Sequence, residues 1–189
     1  GGGGAYVKST FTVATGNTVE PGEIYTVFVG DSGEDSYFID QSTLLAKSGG
    51  SVAENTAIGG QGGSATNCIG NITKFSGGNG ANGSGTSNGG GGGSSAGNSS
   101  DGVNASGSSG STAPSGGGNG GNGATSQDNG LPGASPGGGG GGSLKTSNGG
   151  GITGGSGGRG EIVISYTVPN DVNVQGDFAS NSGTEVYLN

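Results

Sequence analysis

The sequence predicts an all-β framework carrying a glycine-rich insert of bundled polyglycine II helices, with essentially no α-helix. Three observations lead there. Apolar residues make up only 26% of the 189 positions, too few for a conventional core of that size. They cluster in short β-branched and aromatic runs near the two ends. Between those runs, residues 76–160 hold 36 of the 53 glycines.

The first framework region covers residues 5–75. Ala5 to Val13 reads as a strand with Val7, Phe11 and Val13 facing a core, followed by turns at Thr15-Gly16-Asn17 and Pro21-Gly22. Glu23 to Val29 is apolar on both faces, Ile24 and Phe28 on one and Tyr25, Val27 and Val29 on the other. Such a strand is expected to be covered on both sides. After the turn Asp31-Ser32-Gly33, Ser36 to Ile39, Ser42 to Ala46 and Asn71 to Phe75 follow as short strands. No stretch sustains a helical period.

In the insert, glycine recurs at every third position: Gly77, Gly80 and Gly83, then Gly89 and Gly92, and again Gly151, Gly154, Gly157 and Gly160. Gly/Ser composition ordinarily means flexible coil. A structureless loop of this length between strands is improbable, so order is expected instead. Three residues per turn is the pitch of the polyproline II conformation, which glycine adopts as polyglycine II with its backbone polar groups directed at neighbouring helices. Cohesion would then come from backbone hydrogen bonds, each worth a net ~1 kcal/mol, rather than from side-chain burial. The run Gly137 to Gly142 would span roughly 19 Å at about 3.1 Å per residue. The triplet frame breaks at Ser95 and only five prolines occur, so helices folded back within one chain fit better than a collagen triple helix. Turns are expected at Ala113-Pro114-Ser115, from Asp128 to Gly133, and at Ser147-Asn148.

Glu161 to Val168 is the strongest strand signal in the sequence, ended by Pro169, and is expected to close the domain against the first region. Residues 1–168 form one domain on this reading. Residues 169–189 are a β-rich extension, with short strands at Val172 to Val174 and Glu185 to Leu188 about a turn at Asn181-Ser182-Gly183.

The order strand, glycine insert, strand resembles the glycine-rich domains of bacterial surface proteins and phage tail fibres. A related domain occurs in the extracellular part of anaplastic lymphoma kinase-type receptors. The resemblance is carried by Gly1-Gly2-Gly3-Gly4-Ala5-Tyr6, by Tyr25 to Gly30 and by the block Gly154 to Tyr166, and covers residues 1 to about 168. It implies a β-framework with bundled polyglycine helices and a structural or receptor-binding role outside cells. It implies no catalytic residue.

Charge and residue types exclude several chemistries. A net charge of −8 with five Lys and Arg lacks the basic footprint that nucleic acid requires, and anionic membranes would repel it. No run approaches the ~18 apolar residues of a membrane span. A chain that opens on Gly1 and holds no Met reads as a processed product or an excised part of something longer. Without His, nucleophilic catalysis loses its usual base and zinc or haem its commonest ligand. The lone Cys68 reads as a small buried apolar side chain rather than a reactive thiol. The carboxylates Asp31, Glu34, Asp35 and Asp40 do not match the spacing of a calcium loop and read as a solvated turn. Lys145-Thr146 lacks the glycine pattern of a phosphate loop. Acceptor sequons for N-glycosylation stand at Asn71, Asn82, Asn98 and Asn104, some of them expected by chance in so Asn- and Ser-rich a chain.

The expectation is therefore a non-enzymatic protein with no catalytic, cofactor-binding or metal-binding residues and no cofactor, located outside the cell or on a virion surface. Its expected partners are copies of itself in a filament or fibre, with the tail after Pro169 adding a strand to a neighbouring subunit. The alternative is a receptor-binding adhesin contacting a cell-surface glycan or protein. Ice binding and a passive spacer role rank lower, the first because the Asn/Ser spacing looks irregular.

Overall fold

In the computed structural model, residues 1–53, 56–146 and 151–167 are described. Strands are short. β1 (Tyr6–Lys8) pairs antiparallel with β5 (Thr73–Phe75), Tyr6 opposite Phe75. A second antiparallel sheet holds β2 (Val27–Phe28), β3 (Ser36–Phe38) and β4 (Leu44–Ala46) in the order β2-β3-β4, with Phe28 opposite Tyr37 and Tyr37 opposite Leu45. A 3₁₀ turn at Ala65–Asn67 is the one helical element among the described residues. The all-β expectation holds at this level.

The framework draws its side-chain cohesion from a few contacts. Leu45 and Cys68 are buried, and an isolated bridge joins Leu45 to Ile69. Ring pairs add to them: Phe28 with Tyr37 at 5.1 Å, Tyr6 with Phe75 at 6.2 Å, and Phe38 with both Phe11 and Tyr25. Such pairs contribute roughly 0.5–1.5 kcal/mol each beyond area burial.

The glycine-rich segments pack differently, and residues 89–97 form their centre. All nine of these residues are buried, and none is larger than Ala or Ser. Their N–H groups go to different neighbours in a cycle of three. Gly89, Gly92 and Ser95 donate to Ala124, Gly121 and Gly118; Gly91 and Ser94 to Gly107 and Val103; Gly93 and Ala96 to Gly1 and Gly4. The same rule governs residues 77–83, where Gly77, Gly80 and Gly83 donate to Gly63, Gly60 and Ala57 while Gly78 and Ala81 donate to Ser94 and Gly91. It holds again where Gly118, Gly121 and Ala124 donate to Pro136, Gly139 and Gly142. An extended segment whose polar groups turn by a third of a circle per residue can bond several neighbours, whereas a strand bonds only two.

That spacing leaves no room for side chains. A Cβ placed on Gly3 would overlap the Ser94 carbonyl, one on Gly92 the Gly139 carbonyl, and one on Gly120 the Gly92 carbonyl. Buried serines occur only where the hydroxyl is used: Ser94 Oγ accepts from the Val103 N–H at 2.8 Å, and Ser95 Oγ donates to the Pro136 carbonyl at 2.7 Å. Among the described residues no buried side-chain polar atom lacks a partner.

Several sequence expectations are corrected. The strand read from Ala5 to Val13 pairs only over Tyr6–Lys8, and Val13 is exposed because its sole pairing is an isolated bridge to Val19. The strand read from Glu23 to Val29 pairs only over Val27–Phe28, and it is not covered on both faces: Ile24, Val27 and Phe28 are exposed. Of the turn expected from Asp128 to Gly133, residues 130–133 instead belong to an extended segment that runs to Ala134. Leu131 and Ala134 donate to Asn122 and Asn119, and Gly130 and Gly133 to Thr153 and Ser156. The chain reverses at 135–137 instead, through a cis Ser135-Pro136 bond. The turn expected at Ala113-Pro114-Ser115 falls at Ser115-Gly116, closed by the Gly117 N–H on the Pro114 carbonyl. Glu161 to Thr167, the strongest strand signal, pairs with nothing among the described residues. The turn at Ser147-Asn148 and the extension 169–189 lie outside the described residues.

Candidate functional site

The carboxylates considered as a ligand cluster do not converge. Asp35 is held by Lys47, whose ammonium donates to Oδ2, and by the Ser48 N–H at 2.8 Å. Burial alone would raise its pKa; the Lys47 and Ser48 hydrogen bonds outweigh that and hold the carboxyl below its ordinary value. Asp40 closes its own turn, accepting from the hydroxyl of Ser42 and the N–H groups of Ser42 and Thr43, which lower its pKa. Glu34 accepts from the Asp31 N–H, and Asp31 lies 3.7 Å from Arg159. Glu34 and Asp40 are thus held within their own turns, Asp35 is held by Lys47 and Ser48, and Asp31 stands beside Arg159. No group of three or more Cys, Asp or Glu side chains placed to hold a metal occurs among the described residues.

Cys68 is the buried small side chain expected of it. Its sulfur accepts the Lys47 N–H at 3.3 Å, and burial pushes the thiol pKa up, away from a reactive thiolate. A shallow depression around Phe11, Thr12 and Asn17 has no titratable group in its lining.

Three of the four sequon asparagines serve the fold. Asn71 exchanges two hydrogen bonds with the Thr10 backbone, Asn82 accepts from the Gly59 N–H, and Asn104 accepts from the Asn79 N–H. The last two belong to a pattern missed in the sequence. Asn79 and Asn82 accept from Gly62 and Gly59; Asn119 and Asn122 from Ala113 and Gly110; Asp101 and Asn104 from Ser76 and Asn79. Each pair is spaced by three and serves one neighbouring segment. The heptads Gly77-Gly78-Asn79-Gly80-Ala81-Asn82-Gly83 and Gly117-Gly118-Asn119-Gly120-Gly121-Asn122-Gly123 carry that signal openly. The Asn spacing is therefore regular at these positions, not irregular.

Among the described residues, one edge of the three-stranded sheet carries no partner strand. β2 is its outer strand, paired on one side with β3. The Ile39 N–H donates to the Thr26 carbonyl at 2.8 Å, so Thr26 and Phe28 direct their polar groups toward β3, and by antiparallel alternation Val27 directs its own outward. Beside this edge the chain returns. The Gly157 N–H donates to Ser32 Oγ at 2.7 Å and the Gly160 N–H to the Gly30 carbonyl at 2.9 Å. Beyond Gly160 the segment 161–167 is exposed except at half-buried Ile162, with Val163 at 78% and Tyr166 at 58%.

No family model matches the chain, and no curated protein or solved structure is similar to it. No described helix is long and apolar enough to cross a membrane.

Proposed function

We propose that this chain is a non-enzymatic structural protein of the extracellular space or a virion surface, a self-assembling subunit of a filament or fibre. On this reading its glycine-rich segments are polyglycine II helices in a single bundle, as in the glycine-rich surface and tail-fibre domains it resembles. The observation that carries the reading is the three-residue cycle of donors along residues 89–96. A helix of three residues per turn directs every third N–H the same way, and only glycine permits the resulting backbone approach. The separately partnered carboxylates and the buried thiol support a structural rather than a chemical role. Strand-forming sequence left on the surface supports assembly with copies of itself.

Negative-stain electron microscopy of the full chain tests the assembly. Long uniform fibres support a filament subunit; discrete particles of fixed size at every concentration refute it and favour the adhesin reading, to be followed by glycan binding. Backbone carbon shifts by NMR test the bundle. Polyproline II values at residues 89–96 are expected, and strand or coil values there would remove it.

A further inference from the structure

We propose that residues 161–167 of one copy add as an extra strand to the free edge of β2 in a second copy. The inference rests on the self-assembly reading and names the surfaces that would carry it. Two elements of the chain are incomplete, and each is the complement of the other. Residues 161–167 (Glu-Ile-Val-Ile-Ser-Tyr-Thr) are rich in β-branched and aromatic residues, yet no backbone hydrogen bond reaches them among the described residues. The edge at β2 directs the polar groups of Val27 outward and leaves the side chains of Ile24 (97%), Val27 (45%) and Phe28 (39%) in solvent. Natural sheets blunt such an edge with charge, proline, a cover or shortness; residues 24–29 hold no charge and no proline, and only the brevity of β2 limits the edge.

Electrostatics permit the contact between like-charged copies. The chain carries −8, but Glu161 is the sole charged residue in the donor segment and residues 24–29 have none. The seam would therefore be free of directly opposed like charges. The donor strand is apolar on the face of Ile162, Ile164 and Tyr166 and carries Val163 among polar residues on the other, so an added strand gives cover to Val27 and Phe28 and gains it for Val163 and Ile164. The chain's own segment does not fill the edge. It is tethered at Gly160 to Gly30, two residues beyond β2, and from there makes no backbone hydrogen bond to β2 among the described residues. A strand given by one copy to the next, with the second copy's strand given to a third, is a heterologous contact that propagates as an open polymer unless the rotation closes.

The test measures mass against concentration by light scattering for the full chain and for three variants, Val163→Lys, Ile164→Pro and Val27→Lys. Val163 and Val27 are exposed, so the two lysine variants are expected to fold; unchanged amide exchange over residues 89–96 checks each variant. The unaltered chain is expected to assemble, with exchange at 161–167 slowing as concentration rises. Each variant is expected to raise the concentration for half-assembly at least tenfold. Assembly that persists undiminished in all three overturns the strand addition while leaving the filament reading intact. A chain that stays monomeric at every concentration refutes both. Protection of residues 161–167 in a monomer would mean the segment fills its own edge, and would likewise overturn the proposal.

Discussion

The buried stretch 89–97 and the strand β2 show two ways of using the same polymer. Residues 89–97 have almost no side-chain volume and lie entirely buried. β2 and its flanks have Ile24, Val27 and Phe28 and leave them exposed. Apolar content alone would have ranked the two regions the other way. The glycine segment wins because successive residues reach different neighbours through the backbone, so satisfaction of polar groups and close approach come together. β2 offers side chains without enough surrounding chain to cover them. In this molecule burial follows backbone geometry, and hydrophobicity is left to mark the surface.

The sharpest way to break that contrast is to add one methyl group at the centre. Gly92→Ala places a Cβ inside the Gly139 carbonyl, and backbone on both sides cannot move aside as a side chain would. Overpacking usually costs about 1–3 kcal/mol; here the loss should reach or exceed the upper end and be read as a collapse of the urea midpoint. A loss below about 1 kcal/mol would mean the segments are not packed as tightly as described.

In the framework the corresponding change is Leu45→Ala, which empties a buried site beside few other apolar groups. It should cost about 2–3 kcal/mol, at the low end for such truncations because the sparse surroundings can collapse. Calorimetry should show both regions melting together if bundle and sheet form one cooperative unit; two separate transitions would split them.

A smaller effect is expected at the margin of the bundle. Asn79→Ala removes the acceptor for the Gly62 N–H, a loss of about 1 kcal/mol, with exchange quickening first at the amide of Gly62. The same substitution at Asn98, which makes no side-chain hydrogen bond among those described, should leave stability within about 0.5 kcal/mol of the parent.

The smallest change comes from pH. Asp35 titrates below its ordinary value when folded, so its contribution to stability is complete above the unfolded carboxylate pKa of about 4 and is lost as pH falls through the lower folded value. Asp35→Asn should flatten the acid side of the stability profile. An unaltered profile would show that the Lys47 contact contributes nothing.

The sequence made some of this legible and hid the rest for identifiable reasons. The triplets at Gly77, Gly80 and Gly83 point to one neighbour, as a three-residue period requires. Ser36 to Phe38, Leu44 to Ala46 and Thr73 to Phe75 fall within the expected strands because alternation and flanking turns agree there. Ile24 and the segment 161–167 misled, since β-propensity reports fitness for a sheet and not whether a sheet is at hand. Asp128 to Gly133 reads as a turn because Asn-Gly and Pro-Gly are turn signals wherever a strand is the alternative. Here Gly130 to Gly133 run extended, the N–H groups of Gly130, Leu131 and Gly133 taken by neighbouring segments. The asparagine pairs at 79/82 and 119/122 were visible but looked like filler until each amide met a backbone N–H.

A centre made of Gly89 to Gly97 also changes how the protein should respond to temperature. Exposing apolar surface raises heat capacity on unfolding, about +0.45 cal/K/mol per Å², while exposing polar surface lowers it, about −0.26. Melting this stretch hydrates amides and little hydrocarbon, so the molecule should unfold with far less than the usual ~12–15 cal/mol/K per residue. Its stability curve is then broad and shallow. Cold, which weakens proteins held by oil-like cores, takes little away from one held by its own peptide groups.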